Sequence, residues 1–156
     1  MADTINFAKA RKLTLHLGVI DNPYRTPGKK TRAITTFDVA QILENKYGLF
    51  SVFYRVKQNH IARDLENSLG GALESLMKGQ VTDPWGAAEH AIDQRFRDFL
   101  SSKEAENVGI PGTPTKAALR GVNYRLEHPY AKSNPRRPSF IDTGMLMRSF
   151  KSRVST

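Results

Sequence analysis

The chain has 156 residues, 39% hydrophobic and 25% charged, with no cysteine and a formal net charge of +9. That length supports one domain with its own core. The missing cysteines exclude disulfides, thiol nucleophiles and thiolate metal sites, and no apolar run is long enough for a transmembrane helix.

Residues 1–12 hold early charges and no apolar h-region, so no secretory signal is expected and the protein should stay where it is made. The charge is segregated: residues 1–32 carry +5, residues 33–112 carry −3 and residues 113–156 carry +7. Two readings follow. One is a basic surface for nucleic acid; the other is assembly in which the basic end of one copy meets the acidic middle of the next.

Leu13, Leu15 and Leu17 alternate with polar residues, which predicts a half-buried strand over residues 12–20, closed by Asp21, Asn22 and Pro23. A basic loop over about residues 22–34 follows, with Arg25, Lys29, Lys30 and Arg32 beside Pro27 and Gly28, and it reads as exposed and mobile. Residues 33–36 are compatible with a short strand. Thr36 is placed to cap a helix over residues 37–47 that Gly48 ends. Residues 49–56 are rich in aromatic and branched side chains and predict a second strand.

Ile61, Leu65, Leu69, Leu73 and Leu76 then mark a long helix, within which Gly70-Gly71 implies a kink or a close crossing. A second long helix opens at Asp83 and Pro84, with Trp85 packed in its first turn and Ala88, Ile92, Phe96, Phe99 and Leu100 on its apolar face. Thr115 starts a third helix over residues 116–126, stopped by His128-Pro129. Residues 128–156 read as an extended C-terminal arm: a proline-rich basic loop, one capped helical turn and an edge strand near residues 148–154. The whole predicts a single α+β domain, a small mostly antiparallel sheet with two long helices packed on one face and long basic loops.

No residue set has the types and spacing of a reaction. His16, His60, His90 and His128 have no His partner at i+3 or i+4, and no phosphate-cradling loop or nucleophile elbow is present. The carboxylate pairs Asp64/Glu66 and Asp93/Asp98 fall on polar helix faces and read as solvated surface. No catalytic residue, metal or cofactor is therefore assigned. Aromatic residues lie among the basic loops, Tyr24 near Arg25 and Tyr130 near Arg136, without any helix-turn-helix or RNA-recognition signature.

The stretch Arg137-Pro138-Ser139-Phe140-Ile141-Asp142-Thr143-Gly144-Met145-Leu146-Met147-Arg148-Ser149-Phe150 resembles the closing motif of tail-completion and neck proteins of tailed bacteriophages. In that motif a proline-rich loop leads into Leu/Ile-x-Thr-Gly-x-Leu-x-x-Ser, and Ile141, Thr143, Gly144, Leu146 and Ser149 occupy those places. Ile110-Pro111-Gly112-Thr113-Pro114-Thr115-Lys116 is similar to the lead-in of the same family in shortened form. Leu15 to Ile20, then Thr36 to Glu44 and Gly48, are similar to its strand, basic loop and short helix. Three residues rather than one separate Glu44 from Gly48, a departure from the family pattern.

The resemblance implies a non-enzymatic virion protein at the head–tail junction, assembled in the host cytoplasm as a homo-oligomeric ring of six, alternatively twelve, copies. Its implied partners are the portal or connector and the tail tube or terminator, around the DNA path, with non-specific contact to phage DNA and no membrane. A tail terminator or minor tail protein is the alternative within that class; a small sequence-independent DNA-binding protein is the alternative outside it. The residues expected to join copies are Arg136, Arg137, Phe140, Ile141, Thr143, Gly144, Leu146, Arg148 and Phe150. The final strand is expected to offer an edge to a neighbouring copy, and Arg25, Lys29, Lys30 and Arg32 are expected to make basic-loop contacts.

Overall fold

The computed structural model describes residues 13–24 and 34–155. The basic-loop residues Arg25, Lys29, Lys30 and Arg32 lie outside the described residues. Strand β1 (Thr14–Val19) pairs antiparallel with β2 (Phe150–Ser155), Leu17 opposite Ser152 and Val19 opposite Phe150, as a two-stranded sheet. Helices α1 (Thr36–Tyr47), α2 (Leu49–Met77), α3 (Gly86–Ser101), α4 (Glu104–Asn107), α5 (Lys116–Leu119) and α6 (Met145–Ser149) complete it. The α+β class with a small antiparallel sheet is what the sequence predicts. No described helix is long and apolar enough to cross a membrane.

Residues 49–56, expected as a second strand, are helical. Thr35, not Thr36, caps α1 through a reciprocal bond pair with Asp38, and Gly48, at φ 61°, lets the chain turn directly into α2. The Glu44 carboxylate accepts the Phe50 amide at 2.7 Å, filling an orphan donor at the start of α2. Leu49 and Phe53, four residues apart, are both fully buried. Strand preference spans only about 1 kcal/mol, less than burying two large side chains contributes.

Of the short strand expected over residues 33–36, the described residues 34–36 supply one isolated bridge, Pro23 to Thr35. Helix α3 begins at Gly86, with Asp83 accepting the Trp85 amide at 3.0 Å and Trp85 half-buried at the cap. The third predicted helix stops at Leu119, one turn long, because Arg120 and Gly121 turn the chain back. A Cβ added at Gly70 or Gly71 would meet nothing within 4 Å, so the pair marks neither a close crossing nor a break in α2.

The core lies where α2, α3 and β2 meet. Phe150 stacks on Phe96 with centroids 3.9 Å apart, and Phe53 stands edge-on to both. Helix α3 runs antiparallel to α2, as shown by Lys57–Glu104 at 2.7 Å, Arg95–Asp64 at 2.5 Å and Ser68 Oγ to the Pro84 carbonyl at 2.8 Å. The segment 128–156 is not an extended arm: its last strand is built into this core, with Phe150 fully buried and Ser152 bonded to α3.

Candidate subunit-assembly site

The closing segment is held mainly by its own subunit. Arg137 donates to the carbonyls of Val122, Pro138 and Ile141, three bonds that staple two loops together. Burial pushes its pKa down and nearby Asp142 pushes it back up, and the guanidinium keeps its charge. Arg136 pairs with Glu106, whose side chain is only 3% exposed. Glu106 also accepts the Ser139 amide and hydroxyl, each at 2.8 Å. Burial works against ionisation of Glu106, but the Ser139 and Arg136 bonds outweigh it and hold the carboxyl below its ordinary range.

Downstream, Thr143 Oγ1 accepts the Met145 amide at 3.3 Å, the single helical turn expected there. Gly144 starts it at φ 72°, and a Cβ there would meet Arg125 Nη2 at 2.9 Å. Leu146 is 3% exposed and Phe150 fully buried. Thus Arg137, Gly144, Leu146 and Phe150, predicted to join copies, are used inside the subunit. Phe140, edge-on to Tyr47 at 5.0 Å, Ile141 and Thr143 are half-buried, and Arg136 and Arg148 reach the surface. Thr143, Met145 and Arg148 line an open cleft of about 530 Å³ with Ile20, Asn22, Pro23 and Tyr24.

The expectation that β2 offers its edge to a neighbour is also corrected. Asp93 accepts the Ser152 amide at 2.7 Å and Lys151 Nζ at 2.8 Å, and Glu89 accepts the Val154 amide at 2.8 Å. Carboxylates of α3 thus occupy the outward donors of β2, where another strand would pair. Asp93, read from sequence as solvated, is 3% exposed for this reason. In an antiparallel ladder, Ser152 and Val154 are then in non-hydrogen-bonded pairs, so their partners Leu17 and Leu15 turn their backbone groups to the opposite edge. Among the described residues no strand covers that edge of β1. Beside it Leu15, Leu17, Phe50, Ser51 and Tyr54 line an open groove of about 320 Å³.

The largest apolar exposure is on α2. Helix α3 starts alongside Ser68, so the last turns of α2 overhang it by roughly 13 Å at 1.5 Å per residue. Leu69 (40%), Leu73 (52%), Leu76 (51%) and Met77 (81%) are exposed there, with Val81 (91%) just beyond. Steps of four residues advance the stripe by about 40° each around a helix of 100° per residue. Ile61 is buried and Leu65 packs half-buried against the core, whereas Leu69 and Leu73 have rotated into solvent. The spacing was visible in the sequence and its drift is the signal that distinguishes this overhang from a core stripe.

Among the described residues no His, Asp and Glu side chains gather into a group that could hold a metal ion. Compared with known families, curated proteins and solved structures, the chain matches none.

Proposed function

We propose that this chain is a structural virion protein of a tailed phage, forming a ring at the head–tail junction around the DNA path. The observation that carries the assembly reading is the overhang of α2: four large apolar side chains on one helix end, which the described residues of their own subunit leave exposed. Exposed apolar groups concentrated this way favour association, and each contributes roughly 1–2 kcal/mol when a partner removes it from water. The phage assignment itself comes from the ordered resemblance of the closing segment, the lead-in and the first strand and helix. The open edge of β1 replaces that of β2 as the place for an added strand.

Native mass spectrometry with negative-stain imaging over a concentration series tests this. The wild type is expected to form closed rings of one copy number, and Leu73→Asp to abolish them while leaving the urea midpoint of the subunit unchanged. Rings formed equally well by Leu73→Asp remove the overhang from the interface. A wild type that stays monomeric at every concentration refutes self-assembly.

A further inference from the structure

Residues 113–138, one helical turn (α5) followed by irregular structure, carry six basic side chains and one acidic one, Glu127. Two of the bases are satisfied internally, Arg136 by Glu106 and Arg137 by three carbonyls. The other four, Lys116, Arg120, Arg125 and Lys132, are exposed and make no ion pair among the described residues.

Between them stand two tyrosines that the core does not use. Tyr124 is 62% and Tyr130 67% exposed. Their hydroxyls lie 2.6 Å apart and their rings meet edge to face at 5.8 Å. The backbone beneath is fixed: Asn134 Nδ2 donates to the carbonyls of His128 and Pro129, and the Tyr124 amide donates to Asp142. The rings are therefore presented in advance, and little ordering remains to oppose binding. Arg120, Val122, Tyr130, Ala131 and Lys132 line a single cleft of about 500 Å³.

We propose that this cleft, with Tyr124 at its margin, binds single-stranded nucleic acid without regard to sequence. Arg120 and Lys132 hold successive phosphates. The Tyr130 ring stacks an unpaired base over the apolar floor of Val122 and Ala131. A cationic track with interleaved aromatic faces suits that ligand, because every base offers a π-face and every linkage a charge. An acidic protein would satisfy the cations and leave the ring faces unused. The inference does not depend on ring formation: it rests on side chains of one subunit, remote in sequence from the α2 overhang.

The test is fluorescence anisotropy of the full chain with an oligothymidylate of about 20 nucleotides, in salt from about 50 to about 200 mM. Residues 1–32 carry +5 and attract any polyanion, so the readout is the difference between variants. Tyr130→Ala is expected to weaken binding about tenfold, and Lys132→Ala to reduce the slope of log affinity against log salt by about 0.7. Both positions are exposed, and unchanged urea midpoints establish that the variants are folded. Wild-type affinity in Arg120→Ala/Lys132→Ala, or in Tyr130→Ala, overturns the proposal. So does a duplex of equal length that binds as tightly as the single strand, and so does heparin competition that is identical for wild type and Tyr130→Ala.

Discussion

Replacing Phe150 by Ala separates a core role from an interface role for the closing segment. The ring is fully buried, stacked on Phe96 at 3.9 Å and edge-on to Phe53 at 5.9 Å. Losing its transfer free energy costs about 2–3 kcal/mol. Losing the aromatic pairings adds about 0.5–1.5 kcal/mol, and the cavity left among Phe50, Phe53 and Phe96 adds more. About 4 kcal/mol is the expected total, inside the range of about 3–5 for such truncations.

With a urea m-value near 2 kcal/mol/M for a chain of this size, the midpoint should fall by about 2 M. The thermal midpoint should fall by roughly 8–16 °C. Because the partners of Phe150 are in its own subunit, the loss should be the same at every protein concentration. A loss below about 1.5 kcal/mol, or one that grows on dilution, refutes the placement of Phe150 in the subunit core.

Two further outcomes follow from the same segment. Glu106 ionises more readily in the folded protein than its ordinary value of 4.5, so its contribution is present above that pH and is lost as pH falls from 4.5 towards the lower, folded value; Glu106→Gln should cost about 1–3 kcal/mol at pH 7, and urea titrations should show the gap to wild type shrinking on that acid limb. Gly144→Val forces a branched residue to φ 72°, while the Arg125 guanidinium, at the end of a flexible side chain, can move aside, so it should destabilise by about 1–3 kcal/mol, whereas Gln94→Ala on the exposed face of α3 should stay within about 0.5 kcal/mol by urea midpoint.

Legibility differed by element, and the physical reasons differ too. The apolar face of α3 is legible because Ala88, Ile92, Phe96 and Phe99 step by four, four and three, which keeps them within one face, and all four are buried. The start of α2 was not, because Phe50, Val52 and Tyr54 satisfy a strand pattern locally and only the distant Phe96 and Phe150 decide for helix. The burial of Asp93 is hidden from the sequence for a similar reason. A carboxylate among polar neighbours gives no sign that a strand 59 residues later will bring an amide and a hydroxyl to it. The Thr143–Gly144 turn was found in the sequence, since a cap and a left-handed glycine are local signals. That Leu146 and Phe150 turn inward beyond it was set by packing.

The charge pattern resolves along the same line. The acidic middle meets the basic end within a single chain, through Glu106–Arg136 and Asp93–Lys151. Those bases are spent on folding, so the reason to expect copies joined by opposite charge is weakened. Two of the exposed surfaces differ in chemistry: the α2 overhang is apolar, and the Arg120–Tyr130–Lys132 cleft is cationic. Salt screens the second and not the first, because ion-pairing decays over about 8 Å at physiological ionic strength while burial of apolar surface does not depend on charge. Raising salt should therefore release nucleic acid from the cleft and leave subunit association through Leu69, Leu73 and Leu76 intact. If both were lost together, the two surfaces would have to be one.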